Sequence, residues 1–275
     1  MSRVTIKKIQ SWKNKKKFSA ITAYDFSTAQ IIDKTNIPIV LVGDSASMVT
    51  YGYDSTVPIS MEELLFISRA VSRGISSALV VGDLPFLSYQ HSVSLAVKNA
   101  GRFLKDGRVS AVKLEGGEKV KKHIKSIVDF GIPVMGHVGL TPQSVNQFSG
   151  YSVQGKSLRS AQKILDDARA VEDAGAFSVV LECVPLELAE KITKTLSIPT
   201  IGIGSGVRCD GQIQVLHDVL GLVSGFTPKH SKQFISLHDP ILSALKKYNS
   251  LVEKKDFPNK SHATNYKTKI VDKLN

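Results

Sequence analysis

Two cysteines in 275 residues, Cys183 and Cys209, form no CxxC pair and belong to no His/Cys cluster. A disulfide scaffold and a cysteine-built zinc site are excluded, and a reducing compartment, the cytoplasm, is expected. Long apolar runs are missing too: nowhere do about 18 or more apolar residues follow one another, and the N-terminus lacks the apolar core of a signal peptide. Neither a spanning helix nor export is expected. The Walker A pattern is absent, and Gly202-Ile-Gly204-Ser-Gly206 misses the G-x-G-x-x-G spacing of dinucleotide sites. Acid is absent from residues 1–17, which hold seven basic residues, and scarce in 246–275, with eight basic and three acidic. The stretch between, 18–245, carries 21 residues of each sign, so the formal charge of +12 belongs to the two ends. A body-wide basic field for nucleic acid is thereby excluded.

What is present is a recurrent unit. Short apolar, β-branched runs at 18–25, 37–44, 77–83, 109–115, 132–137, 177–182, 198–204 and, more weakly, 219–225 read as strands. Helical patterns fall between or beside them at 27–36, 60–73, 92–105, 118–130, 157–174, 185–196 and 211–219. Three strands open on an Ile-Pro step (Ile37-Pro38, Ile132-Pro133, Ile198-Pro199), where the proline forbids the preceding helix to continue. Strands with little polar alternation are buried on both faces, as in parallel sheets covered by helices. Eight such units in about 250 residues predict a closed (β/α)8 TIM barrel, with a doubly wound open sheet as the alternative. One domain over 1–250 is expected, with an N-terminal helix, C-terminal helices after 226 and a polar, lysine-rich tail over 251–275.

The strand ends carry the chemistry. In a barrel they face one mouth, and here they supply Asp25, Asp44, Asp83, Glu115, His137 and Glu182. A single carboxylate at such a place is an ordinary helix cap. Several together repel unless a cation or a shared proton offsets them. Asp44, Asp83 and Glu115, from three consecutive strands, form an oxygen set suited to a hard divalent cation such as Mg²⁺, which leaves positions for a substrate with two neighbouring oxygens. Lys113, two residues before Glu115, points the same way and pairs either with these acids or with a substrate carboxylate. Glu182 is open to three roles: it closes the metal site, acts as a base opposite it, or caps the next helix. His137 is either a hydrogen-bonded structural residue or part of the site.

At these residues the sequence resembles the ketopantoate hydroxymethyltransferase family. The stretches that carry the likeness include ITAYDFSTAQ, LVGDSASMV, VGDLPFLSY, VKLEGGE, GHVGLTPQSVNQFSGYSVQG, LECVPLELAEKIT and IPTIGIGSG, in family order over about residues 5–250. The resemblance implies a barrel of the phosphoenolpyruvate/pyruvate type, dependence on Mg²⁺, and a homodecamer. It implies that Asp44, Asp83 and Glu115 are metal-associated. By the same likeness Asp44, Ser45, Asp83, Lys113 and His137 meet substrate, and Glu182 is the proton acceptor. Family members usually have Leu-Gly where this chain has Ala46-Ser47, a histidine or arginine at Tyr53, Gly-Ala near Arg108-Val-Ser110, and phenylalanine at His230. None of these departures replaces a metal-associated acid or the base.

The implied reaction moves a one-carbon unit from 5,10-methylenetetrahydrofolate, a co-substrate, to 3-methyl-2-oxobutanoate through a Mg²⁺-stabilised enolate. The product is 2-dehydropantoate, a pantothenate and coenzyme A precursor. The alternative enzyme is a carbon–carbon lyase or mutase of the same barrel superfamily working without folate. A rival of another class is a nucleic-acid or membrane-surface binder acting through the lysine-rich ends. The neutral body argues against it, and the expected partners are the small-molecule oxo acid and the folate, with no nucleic acid and no membrane.

Overall fold

The computed structural model describes residues 3–148, 150, 152–223 and 228–264. Eight parallel strands close into a barrel in chain order: β1 Phe18–Thr22, β2 Ile39–Val42, β3 Leu79–Asp83, β4 Ala111–Glu115, β5 Val134–Gly139, β6 Ser178–Glu182, β7 Thr200–Ile203 and β8 Gly211–Gln214. Helix α1 (Ile6–Gln10) precedes the barrel. Then come α2 (Phe26–Asp33), α3 (Ala46–Val49), α4 (Met61–Gly74), α5 (Val93–Lys105), α6 (Lys121–Asp129), α7 (Val145–Phe148), α8 (Leu158–Asp173), α9 (Leu186–Thr195), α10 (Leu216–Leu220) and α11 (His238–Glu253). The closed barrel, not the open sheet, is the architecture.

Strand parity splits the apolar residues between two cores. Ile39, Leu41, Leu79, Val81, Ala111 and Met135 point inward and pack on one another, while Val40, Val80, Val112, Leu114 and Val134 face the helices. The inward parity of β3 to β6 then ends on Asp83, Lys113 with Glu115, His137 and Glu182, so the interior turns from apolar to charged at the C-terminal mouth. Helix starts are written locally. Ser60 and Glu63 form a capping box on α4, and Ser92 and Ser157 cap α5 and α8 through the backbone N–H three residues on. At the opposite mouth Ile9 and Trp12 of the N-terminal segment pack against the lowest interior layer.

Seven strand expectations coincide with observed strands; the eighth does not. The expected strand at 219–225 begins inside α10, which ends at Gly221 in the left-handed region (φ 59°), and residues 224–225 lie outside the described residues. The eighth strand is Gly211–Gln214, at the start of the expected helix 211–219. Gly211 pairs with Phe18 in register, and a Cβ there would come within 2.5 Å of the Phe18 ring. The position therefore demands glycine, which erases the β-branched signal by which the other strands are recognised. Of the expected C-terminal helices, α11 is observed. It runs to Glu253, past the expected start of the tail, and residues 265–275 lie outside the described residues.

Candidate active site

Strand register brings the predicted residues together pairwise. Asp83 stands beside Lys113 across β3 and β4, and Glu115 beside His137 across β4 and β5. Glu182 stands beside Gly139 across β5 and β6. Gly139 adopts φ 95°, and a Cβ on it would lie 2.4 Å from the Glu182 carbonyl oxygen, which accepts the Leu140 N–H at 2.8 Å. Only glycine lets β5 approach the backbone of Glu182 so closely.

Lys113 Nζ donates to both oxygens of Asp83, at 2.9 and 2.7 Å, and lies 4.0 Å from Glu115 Oε1. The Asp44 N–H reaches Asp83 Oδ2 at 3.3 Å. Burial pushes the Asp44 and Asp83 carboxyls above the ordinary range; neighbouring carboxylates add to this and the Lys113 ammonium opposes it. Burial alone would discharge Lys113, but Asp83, Asp44 and Glu115 outweigh it and hold the ammonium charged. His137 lies between two carboxylates, with Nδ1 3.3 Å from Glu115 Oε1 and Nε2 3.2 Å from Glu182 Oε2. Burial and Lys113 pull its pKa down, yet the flanking carboxylates prevail and push it up to about 9. The flanking carboxylates thus favour the charged form of His137, which stands between two sides of the mouth.

These groups line a cavity of about 260 Å³, closed on other sides by Thr22, Leu41, Met48, Thr56, Val180, Ile203, Ile213 and His230. Ser45 also lines it, and its hydroxyl is 2.7 Å from that of Tyr24. Asp44 follows β2 and Glu182 ends β6, strands four places apart in a ring of eight, so the two face each other across the mouth. Exposure of the side chains sets Glu182 apart from the rest. Lys113, Asp83, Glu115 and His137 are 5% exposed or less, whereas Glu182 is 14% exposed. Glu182 is the carboxylate most open to a ligand among these charged groups.

Asp25 does not join the site. It caps α2, accepting the Thr28 N–H at 2.9 Å, the ordinary role of a carboxylate at a strand end. Conversely, the sequence does not single out Gln143 and Tyr89, both of them buried at the site. Gln143 donates from Nε2 to Asp44 Oδ2, and the Tyr89 hydroxyl, which accepts the Glu115 N–H, lies within hydrogen-bond distance of both the Glu115 carbonyl and Gln143 Oε1. Uncharged polar residues in loops carry no compositional signal; GHVGLTPQS marks the segment, not the residue. Of the family departures, Ala46 and Ser47 are buried in α3, Tyr53 is exposed, and His230 reaches the cavity.

The residues suit a hard cation by donor chemistry. Asp44 and Asp83 offer carboxylate oxygens, and buried Glu115 Oε1 takes no hydrogen bond of ordinary geometry, standing 3.3 Å from His137 Nδ1 and 4.0 Å from Lys113 Nζ. Among the described residues no three His, Cys, Asp or Glu side chains already stand grouped closely enough to enclose an ion. A cation here would draw remaining ligands from water or substrate, the habit of Mg²⁺.

The barrel and its acidic mouth define the class: a closed (β/α)8 barrel whose charged residues gather around one cavity. Phosphonopyruvate hydrolase matches the fold at a TM-score of 0.62 with 11% identity, covering 99% of this chain and 94% of that one. 2,3-Dimethylmalate lyase, itself a PEP mutase/isocitrate lyase superfamily member, matches the fold at 0.60 with 14% identity, covering 94% of this chain and 88% of that one. Sequence narrows the class. The ketopantoate hydroxymethyltransferase model matches residues 3–260, and the chain belongs to that family. The 3-methyl-2-oxobutanoate hydroxymethyltransferase of Dehalococcoides mccartyi strain 195 is 52% identical over 99% of this chain and 97% of its own. That of Carboxydothermus hydrogenoformans is 50% identical over the whole of both. The chain is a hydroxymethyltransferase; the lyase or mutase alternative is not favoured.

Proposed function

We propose that this chain transfers a hydroxymethyl group from 5,10-methylenetetrahydrofolate to 3-methyl-2-oxobutanoate, giving 2-dehydropantoate for pantothenate synthesis. The observation that carries the residue assignments is Glu182, the more exposed carboxylate, facing a buried cluster of Asp44, Asp83, Lys113 and Glu115 across the cavity. The C3–H of the oxo acid is a weak acid, so charge must be stabilised at the neighbouring oxygens while a base works from the other side. Asp44 and Asp83 would hold Mg²⁺, with Glu115 beside them. When bound, the ion supplies positive charge next to the oxo and carboxylate oxygens. Lys113 adds a second, fixed positive charge on that wall. Glu182 accepts the C3 proton, and the carbon so activated attacks the one-carbon unit of the folate. Ser45 and His137 bound the oxo acid, His137 holding Glu182 on its far side.

The protein works in the cytoplasm, in keeping with two free cysteines and no described helix long and apolar enough to cross a membrane. It assembles as a homo-oligomer, a decamer by the family resemblance; self-association is supported by α11, which has no buried residue and exposes Ile241, Leu242, Leu245 and Tyr248.

The test is exchange of the C3 proton of 3-methyl-2-oxobutanoate with deuterium, followed by NMR without folate. Wild type is expected to exchange only with a divalent cation, and Glu182→Gln to exchange about 10²- to 10⁴-fold more slowly. Undiminished exchange in the variant, or exchange in chelator, would overturn the assignments. Product that forms without methylenetetrahydrofolate would overturn the donor.

A further inference from the structure

Gln143 lies in the short 3-10 turn Pro142–Ser144 that follows β5, and its amide is saturated. Nε2 donates to Asp44 Oδ2 and to the Leu84 carbonyl, both at 2.9 Å. Oε1 faces the Tyr89 hydroxyl and Gln90 Nε2, each at 3.1 Å. The Gln143 backbone N–H reaches Glu115 Oε2 at 3.1 Å. One residue thus ties together the C-terminal end of β4 and the loops after β2, β3 and β5 at the level of the mouth.

The orientation of the amide follows from its partners. A backbone carbonyl only accepts, so the atom facing Leu84 must be the NH₂, and the Gln90 amide nitrogen opposite it only donates, so the atom there must be the oxygen. Tyr89 completes the clamp: its hydroxyl receives the Glu115 N–H at 3.1 Å and lies 2.9 Å from the Glu115 carbonyl oxygen. With the amide locked, the NH₂ can only point at Asp44, and one of that carboxylate's oxygens is held. Gln143 itself is 4% exposed, and its side chain is absent from the cavity lining. It touches the acids that face the ligand without facing the ligand itself.

We propose that Gln143 is a positioning residue that sets the orientation of the Asp44 and Glu115 carboxylates for the cation and the oxo acid. Asp44 is oriented by the side-chain amide, and Glu115 by the main-chain N–H that the same clamp holds in place. This rests on the reading of those acids as the metal-associated set. Outer partners of metal-binding carboxylates are worth about 10- to 100-fold in metal affinity or activity. The loss should fall on cation affinity and on the chemical step together, not on the fold.

The experiment compares wild type, Gln143→Met and Tyr89→Phe. Gln143→Met keeps length and main-chain N–H but removes every side-chain hydrogen bond; Tyr89→Phe leaves Gln143 in place and removes one bond that locks it. Mg²⁺ affinity is measured calorimetrically without substrate, C3 exchange is followed by NMR, and near-ultraviolet circular dichroism reports the fold. Gln143→Met is expected to keep a native spectrum while Mg²⁺ affinity and the saturated exchange rate each fall about 10- to 100-fold. Tyr89→Phe should fall in the same direction by a smaller factor. Native Gln143→Met protein with both quantities within twofold of wild type overturns the proposal. If Gln143→Met does not fold, an unchanged Tyr89→Phe overturns it instead. A wild type that neither binds Mg²⁺ nor exchanges with it removes the functional reading beneath, and the proposal with it.

Discussion

Lys113 shows how a single side chain decides whether the acidic mouth can exist. It is 5% exposed, bonded to both oxygens of Asp83, and surrounded by two further carboxylates. Replacing it with Met keeps the volume and strands Asp83 as an uncompensated buried charge. Breaking a buried pair from one side costs about 3–5 kcal/mol, so Lys113→Met is expected to lose that much in urea unfolding at pH 7, and its activity with it. A loss below about 1 kcal/mol would mean that the ammonium is not what offsets the acids. The charged members of this cluster were legible in the sequence because charge at the end of a buried strand is costly and so stands out. Gln143 and Tyr89 were not, because a neutral polar residue in a loop looks the same whether it is solvated or clamped. Asp25 was legible as a carboxylate at a strand end, where a cap is its ordinary role, but not as the member of the set that stays outside the site, since both roles place it at the same position.

Between elements, Asp33 illustrates how a helix is tied to the strand that follows its neighbour. The last residue of α2 accepts the N–H groups of Ser76 and Ser77 at 3.1 and 2.9 Å and the hydroxyls of both. Partial burial would raise its pKa, but these four donors prevail and hold the carboxyl well below the ordinary range. A group depressed in the folded state contributes in full above its unfolded pKa of about 4, and the contribution is lost as pH falls through the folded value. Asp33→Ala is therefore expected to destabilise by about 1 kcal/mol at pH 7, allowing for solvent screening. The gap between variant and wild type should begin to narrow below about pH 4 and close as pH falls through the folded value. Equal gaps in thermal melts at pH 7 and pH 3 would contradict the assignment. Elements of this kind were readable where apolar period and caps agree, as in α4 with Ser60 and Glu63. The reading failed at β8, where contact with Phe18 admits no side chain and leaves a four-residue strand without a β-forming signature.

For the molecule as a whole, the excess positive charge at the N-terminal end divides into two kinds. Some of it is structural: Lys13 is 9% exposed, donates to Asp210 at 2.9 Å and to the Thr193 carbonyl at 2.7 Å, while the Asn14 N–H takes the other oxygen of Asp210. Lys17 donates to the carbonyls of Arg208 and Cys209. Arg3 donates to the Ile75 carbonyl at 3.0 Å and Lys16 lies over the Trp12 ring, while Lys7 on α1 is exposed. Asp210 also accepts the Thr200 N–H at 2.9 Å, so one carboxylate joins the N-terminal segment to β7 and the turn before β8. Burial works against its ionisation, but these hydrogen bonds and Lys13 keep its pKa below the ordinary range. Ile9, fully buried against the lowest barrel layer, adds an apolar anchor to the polar one. The segment is thus a plug for the face opposite the active site, where the stability of the barrel rather than its chemistry is at stake. Asp210→Ala leaves the buried Lys13 ammonium without its counter-charge, held only by the Thr193 carbonyl, takes the acceptor from the Asn14 and Thr200 N–H groups, and is expected to cost about 3–5 kcal/mol. Hydrogen exchange separates this from a general loosening. Amides of 7–12 should lose protection through local opening of α1, while those of β3 to β5 exchange only through global unfolding, at rates shifted by the measured loss of stability. Uniform loss of protection throughout the chain would show that the plug and barrel are one cooperative unit, and unchanged protection at 7–12 would show that Asp210 does not hold the segment.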